Sequence, residues 1–351
     1  MKAVRIHKLM LQLKRMVKKG GVEVAIYYLD EPFYQTHTAG SKPRNDFNLI
    51  LKSLHFRSFQ ELVNSDQPYL QVEDVVFIQY PFTPFWNQHI YEFCHQYQIR
   101  TVLFLNDIMT LHDGNYEMIP SEVSLFNQAA VLIIHNERMK EWLTTHGVTC
   151  PMVCLTVFDY LISDEVCHQI PARTFSHEVV FAGNLNPSLR KFLYEPSFKH
   201  EYQLNLYGPE VNGTFGSQQT TYYGSFPPEE IPAQLQGSFG LHWNGDRQDT
   251  CSGRVGYYST IATSHKLSLY LVSKLPIICW EHASEADFIT KENLGLTISS
   301  LDDIDFKLSR IDALQYKQML ENVMSYSSNL QHGYYFKKAI REVLEVLEIH
   351  N

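Results

Sequence analysis

From residue 22 onward the chain alternates short runs that are apolar at nearly every position with longer stretches whose apolar residues recur at helical spacing. In the first half the runs fall at 22–28, 75–80, 101–106 and 131–135. A strand with one solvated face alternates polar and apolar residues. Strands apolar throughout are buried on both faces, as in a parallel sheet covered by helices. A second series begins near Glu178, with runs at 179–183, 204–208, 221–224, 239–243, 276–280 and 294–298, and helix patterns at 229–236, 264–273 and 283–291 between them. The pattern predicts an α/β protein with two parallel layers, joined through the polar stretch 161–176, which contains Pro171. A closing helix places Phe336, Ile340, Val343, Leu344 and Leu347 on one face and is long enough to cross back to the first layer. The expected organisation is a segment over 1–20, a first parallel α/β domain over 21–165, a second over 166–328 and the returning helix over 329–351.

The length of 351 residues agrees with two cores of roughly 150 residues each. Charge is unevenly placed. The formal net charge is -9, yet Lys2, Arg5, Lys8, Lys14, Arg15, Lys18 and Lys19 crowd the start without an acid. An acidic body with no basic stripe elsewhere excludes DNA and RNA as expected partners. Within 1–20, Ile6, Leu9, Met10, Leu13, Met16 and Val17 share a helical face opposite most of those cations, and Gly20 and Gly21 end the pattern. Two readings stand: peripheral attachment to the inner face of a membrane or to a partner, and packing on the chain's own domain or on a neighbouring subunit. No run is long enough to span a bilayer. Six cysteines without a Cys-x-x-Cys pair indicate reduced thiols and a cytoplasmic protein. Cys279, inside an apolar run, is expected in the core.

In open parallel sheets, ligands lie beyond the carboxyl ends of strands, where helix N-termini offer unpaired N–H groups. The turn after 179–182 carries Gly183 and Asn184, with Arg190 and Lys191 beyond it, and the turn after 204–207 carries Gly208 and Pro209. Either could be a nucleotide floor or a tight strand exit that needs glycine sterically. Lys266 carries more weight. It lies in the first turn of an otherwise apolar helix, where a cation opposes the macrodipole and calls for a neighbouring anion. A diphosphate would be that anion, with Ser284 and Glu285 starting the next helix in a similar way.

The strings His265-Lys-Leu-Ser-Leu-Tyr-Leu, Leu275-Pro-Ile-Ile, Ala286-Asp-Phe-Ile and Asn293-Leu-Gly-Leu resemble a small family of two-Rossmann-domain (GT-B) glycosyltransferases. It includes bacterial galactofuranosyltransferases and the accessory-secretion glucosyltransferase that extends O-linked GlcNAc on serine-rich repeat adhesins. Gly40-Ser-Lys-Pro-Arg-Asn-Asp, Asn106-Asp-Ile-Met-Thr-Leu, Val131-Leu-Ile-Ile-His-Asn-Glu-Arg-Met-Lys and Asp249-Thr-Cys-Ser-Gly add to the resemblance, which runs from about Val22 to Ile298. It implies two domains facing across a cleft and a UDP-sugar donor contacted by Gly183, Asn184, Arg190, Tyr223, His265, Lys266, Ser284 and Glu285. It further implies a glycan or glycoprotein acceptor met by Ser41, Lys42, Arg44 and Asn45, inversion at the transferred carbon, and a homo-oligomer. Two departures concern the acceptor. His112 stands near where the family often has arginine, and Trp243-Asn-Gly-Asp replaces a Trp-Asp-Gly-like turn.

Glycosyl transfer needs a stabilised diphosphate leaving group and a base for the acceptor hydroxyl. Arg190 and Lys266 suit the first role. Asp107, at the end of the 101–106 run, suits the second or caps a helix, and His37 and His112 are weaker candidates. No Asp-x-Asp follows a strand, no histidine spacing suits zinc, and Asp302, Asp303 and Asp305 read as caps, so neither metal nor cofactor is expected. The competing readings are a non-catalytic GT-B partner or chaperone subunit and, among enzymes, a galactofuranosyltransferase of surface polysaccharide synthesis. A nicotinamide oxidoreductase would need Gly-x-Gly-x-x-Gly after the first strand, where Tyr27-Tyr-Leu-Asp-Glu-Pro stands instead.

Overall fold

A computed structural model describes residues 17–18, 24–30, 40–65, 69–83 and 86–349. The helix expected over 1–20 therefore lies outside the described residues except at its end, as does His37. At that end the expectation is corrected. Val17–Lys18 is a two-residue strand, β1, paired in parallel with β4 (Leu70–Gln71). Hydrogen bonding to a neighbouring strand there replaces the helical turn that local periodicity favours.

The chain forms two compact units. The first comprises its described residues up to 30, Pro43–Thr156 and the residues from Phe336 on; the second comprises residues 40–42 and Val157–Tyr335. In the first unit β2 (Ile26–Tyr28), β3 (Arg57–Ser58), β5 (Val75–Tyr80), β6 (Arg100–Leu105), β7 (Val131–Ile134) and β8 (Met152–Cys154) form a parallel sheet in the order β3-β2-β5-β6-β7-β8. β5 to β7 are buried almost throughout, for the reason their composition suggests: helices cover both faces. One cover is the helix Lys42–Ser53, whose Phe47 packs 4.7 Å from Phe104 and 4.9 Å from Phe336. Phe336 belongs to the closing helix Tyr334–Val346, which buries Phe336, Ala339, Ile340 and Val343. Leu344 and Leu347, placed on the same face by periodicity, are only partly buried.

In the second unit β9 (Glu178–Ala182), β10 (Gln203–Tyr207), β11 (Thr220–Tyr222), β12 (Phe239–His242), β13 (Ile277–Trp280) and β14 (Gly295–Ile298) are all parallel, in the order β11-β10-β9-β12-β13-β14. The direction of winding reverses between β9 and β12, the arrangement of a dinucleotide-binding Rossmann sheet. Alternate residues of β9 serve different cores. Val179 and Phe181 pack with Phe192, Leu204 and Leu241, while Val180 and Ala182 pack with Tyr207, Leu267 and Leu271. Two expected helices are shorter than their patterns. Only Ile231–Gln234 is helical within 229–236, because Leu235 turns extended, and the helix expected from 283 starts at Ala286.

All six cysteines are free, and Cys279 is fully buried. Among the described residues no helix is long and apolar enough to cross a membrane.

One buried cation braces the second unit. Arg173 donates through Nε and one terminal nitrogen to Ser273 O, at 3.1 and 2.9 Å, and through the other to Leu235 O at 2.8 Å. Burial lowers its pKa to about 10. Replacing it orphans these carbonyls, so Arg173→Met is expected to cost about 3 kcal/mol of unfolding free energy in urea titrations. A loss below about 1 kcal/mol would contradict this role.

Candidate functional site

The chain leaves β9 through Gly183 at the point where the winding order reverses. Gly183 has a φ of 154°, and a Cβ there would lie 2.8 Å from Cε of Lys266. Glycine is what lets the lysine lie across this turn. At the exit of β10, Gly208 has a φ of 141°, and its Cβ would lie 1.8 Å from Gly183 O. Main-chain bonds from Gly183 N to Tyr207 O (2.9 Å) and from Leu185 N to Pro209 O (3.0 Å) tie the two exits together. Tyr222 adds a hydroxyl bond to Gly208 O at 2.9 Å.

Lys266 is delivered by the helix His265–Val272, capped by Ser264, whose Oγ accepts from Lys266 N at 3.3 Å. The helix is buried from Leu267 to Val272, which fixes its first turn relative to the sheet. Tyr270 is the pin. Its hydroxyl accepts from Ala182 N and donates to Leu241 O, both at 2.9 Å, bridging the ends of β9 and β12.

A cavity of about 620 Å³ opens over this floor, lined among others by Gly183, Asn184, Tyr207, Glu210, His265 and Lys266. Its volume suits a nucleotide-sized ligand. Burial pushes the Lys266 ammonium down to about 7; the Arg190 guanidinium acts in the same direction and Glu285 opposes it. His265 is pushed to about 3 by burial and by Lys42, so its ring is neutral at physiological pH. That ring stacks on Tyr160, with centroids 4.9 Å apart and planes at 15°, and its buried Nε2 has no hydrogen-bond partner. Asn184 Oδ1 accepts from Asn186 N at 2.8 Å, shaping the turn, and Asn186 Nδ2 donates to Glu210 Oε2 at 2.8 Å.

Of the donor-binding residues expected from sequence, Gly183, Asn184, His265 and Lys266 line this cavity together. The other four stand behind its walls. Arg190 is buried over Phe181 at 5.7 Å and directs N–H groups to Leu189 O and Gly245 O, so it reaches Lys266 through its field. Tyr223 is half-exposed and stacks on Tyr207, centroids 5.1 Å apart. Ser284 and Glu285 are buried, and Glu285, the residue at the N-cap of the short helix that follows, makes no side-chain capping bond. Ser284 Oγ donates to Glu285 Oε2 at 2.9 Å, and Glu285 Oε1 lies 2.5 Å from His242 Nδ1.

Asp107 follows β6 in the first unit and is not among the residues lining the cavity. The helix after it, Met109–Asp113, is capped by another carboxylate: Glu122 accepts from Met109 N at 2.7 Å and Thr110 N at 3.1 Å. His112 contacts Asp113 at 2.8 Å on the surface. Ser41, Lys42, Arg44 and Asn45 are all buried. Lys42 donates to Leu161 O at 2.6 Å and lies 5.0 Å from the Tyr160 ring centre, and Arg44 donates to Pro81 O at 2.8 Å. Asp303 and Asp305 accept main-chain N–H groups at Ser299, Ser300, Glu201 and Tyr202, whereas Asp302 makes no capping bond. Among the described residues no three His, Cys, Asp or Glu side chains converge as a metal-ligand set.

Sequence reasoning missed Tyr160, Glu210, His242 and Asn244. Their one signal is a polar residue at the end of an apolar strand, and for Tyr160 there is none.

Comparison with known proteins assigns the chain. Residues 27–157 match the family described as glucosyltransferase 3-like, N-terminal domain, and residues 179–343 match its C-terminal domain. The chain belongs to the glucosyltransferase 3-like family. It is 31% identical to the β-1,6-galactofuranosyltransferase WbbI of Escherichia coli (strain K12), over 80% of this chain and 82% of that one. It is 26% identical to glucosyltransferase 3 of Streptococcus gordonii, over 78% of this chain and 80% of that one. In structure it is similar to HepE of Anabaena, solved with UDP-glucose, at a TM-score of 0.56 and 13% identity over 93% of this chain and 100% of that one. The fold of this glucosyltransferase 3-like chain is the GT-B class, with two parallel-stranded Rossmann-like sheets.

The two glycines should respond differently to a methyl group. Gly208→Ala forces backbone against backbone and is expected to cost at least about 3 kcal/mol in denaturant unfolding. Gly183→Ala meets the flexible end of Lys266, so it should cost less stability while moving the ammonium. Equal losses in both variants would refute this division.

Proposed function

We propose that this chain transfers a hexose from a UDP-sugar, held in the cavity of the second unit, to a hydroxyl of a glycan or glycosylated protein without a bound metal. One observation carries the proposal. An ammonium whose proton affinity burial has brought near neutrality sits in the first turn of a helix, against a glycine turn, at the reversal point of a Rossmann sheet. Such a group is costly to keep charged in an empty cavity and is relieved by an anion. As the sugar leaves, the diphosphate gains charge. Lys266 and the N–H groups of its helix then stabilise the departing group more than the bound donor.

Glu210 follows the second strand of its unit, the place from which Rossmann proteins offer a carboxylate to ribose hydroxyls. We assign it that contact. Asp107, which follows β6, is the proposed base for the acceptor hydroxyl. Lys42 and Arg44, each bonded to a main-chain carbonyl, shape the 40–46 segment that would meet the acceptor. Similarity to a galactofuranosyltransferase and a glucosyltransferase makes UDP-galactofuranose and UDP-glucose the first donors to test. A competent cavity lysine disfavours the non-catalytic partner; UDP release on incubation with donor and a GlcNAc-bearing peptide separates the two.

Lys266→Ala should weaken UDP-glucose binding in calorimetry by about 10- to 100-fold at pH 6, the worth of one charged hydrogen bond. Its thermal stability should be unchanged or raised. Unchanged affinity would remove Lys266 from the site. The sign of the pH dependence follows from the lowered pKa. Below about 7 the free ammonium is charged and affinity is flat; above it binding must first protonate the lysine, so Kd should rise up to about tenfold per pH unit. Asp107→Asn is expected to lower kcat by about 100-fold or more with KM for donor little changed. A rate within a few-fold of the parent would dismiss it as the base.

A further inference from the structure

Behind Lys266 runs a line of polar groups, Glu285 and His242 buried and Asn244 half-buried, none of which lines the cavity. Glu285 Oε1 lies 2.5 Å from His242 Nδ1, His242 Nε2 is 3.0 Å from Asn244 Nδ2, and Asn244 Oδ1 accepts from Lys266 Nζ at 3.4 Å. The side chains of Glu285 and His242 are 1% and 2% exposed. Neither lines the cavity, so neither is placed to touch a ligand there.

The chemistry of the line has a direction. A carboxylate oxygen 2.5 Å from Nδ1 favours the His242 tautomer that carries its proton there, which leaves Nε2 as an acceptor. An acceptor takes the amide N–H₂ of Asn244, which turns the amide oxygen toward Lys266. Were Nε2 to carry a proton as well, the amide would have to rotate to accept it. Its N–H₂ would then face the ammonium and repel it. Glu285 thus selects the tautomer, the tautomer selects the amide orientation, and the amide oxygen steadies the cation.

We propose that Glu285, His242 and Asn244 form a positioning relay that holds Lys266 in its charged, anion-ready state while making no contact with the donor. The proposal rests on the reading of the cavity as a donor site. It also redefines Glu285, which sequence resemblance placed among the donor contacts. The charged and titratable groups around Lys266 are Arg190, whose guanidinium disfavours the ammonium; Glu285, which favours it; His242, at the far side of Asn244; and His265 and Glu210, which share the cavity. Of these, only the relay approaches Lys266 through a hydrogen-bonded partner among the described residues. Burial raises the Glu285 carboxyl, and His242 and Ser284 more than offset it, so the group lies below its ordinary value.

The test is the pH profile of UDP-glucose binding by calorimetry, in the full-length chain, for the parent and two variants. Glu285→Gln removes the distant negative charge and frees the tautomer, so the pH above which affinity declines should move down by about one unit. Asn244→Asp places a carboxylate directly beside the ammonium, so the same break should move up by about one unit. Opposite shifts are a signature that mere loosening of the fold does not produce. If either folded variant keeps the parental break, or if both move in one direction, the relay is wrong. Should Glu285→Gln fail to fold, His242→Gln, which cuts the line between Glu285 and Asn244, takes its place and should also move the break down; a break that stays at the parental pH overturns the relay. A parent chain that binds no UDP-glucose at any pH would overturn the donor reading, and the relay inference with it; donor binding with immobile breaks would overturn the relay only.

Discussion

A lysine that is costly to keep charged organises the second unit. Its ammonium lies in a partly desolvated cavity, at the helix end that repels cations and within the field of a buried guanidinium, and burial brings its pKa to about 7. Each neighbouring device makes sense as a way of holding it there. Gly183 supplies the space its stem occupies, Gly208 supplies the space Gly183 occupies, and Tyr270 pins the helix that carries it to two strands at once. The stability lost at this site is restored away from it, in the two cores packed on opposite faces of the sheet.

The parallel topology explains why these parts meet. Crossovers bring all six strands of a unit out at one end, so every strand exit contributes a turn to the same edge. Beside the point where the winding reverses, the exits of β9 and β10 floor the cavity with two glycine turns, and the first turn of a helix from much later in the chain walls it. Tyr207, Tyr160 and Phe226 supply flat apolar walls, while Lys266, His265, Asn184 and Glu210 supply a few fixed polar groups, the mix expected of a small-molecule site.

How much of this was legible depended on how local its cause is. Strands such as 75–80 announced themselves because their burial on both faces removes the polar positions that would blur the pattern. Helix ends were less clear. The helix at Ile231–Gln234 is shorter than its apolar spacing suggests, since Leu235 takes an extended conformation. Lys266 stood out because a cation in the first turn of an apolar helix conflicts with the macrodipole, and such local conflicts point to function. Gly183 was visible as a strand exit. Ser284 and Glu285 were visible too, but as starters of a helix, whereas their side chains serve a histidine from another strand.

The chain's own pattern determined the class of each layer, the count of long strands in the second sheet and the candidate cation, because burial on two faces and helix periodicity are written into neighbouring residues. Tertiary structure alone decided that Glu285 faces His242, that Arg190 lies behind the wall rather than in the cavity, and that Tyr160 joins the lining. Those pairings link residues tens of positions apart across parallel strands. Which of them meet follows from sheet order and register, and no short stretch of sequence carries that information.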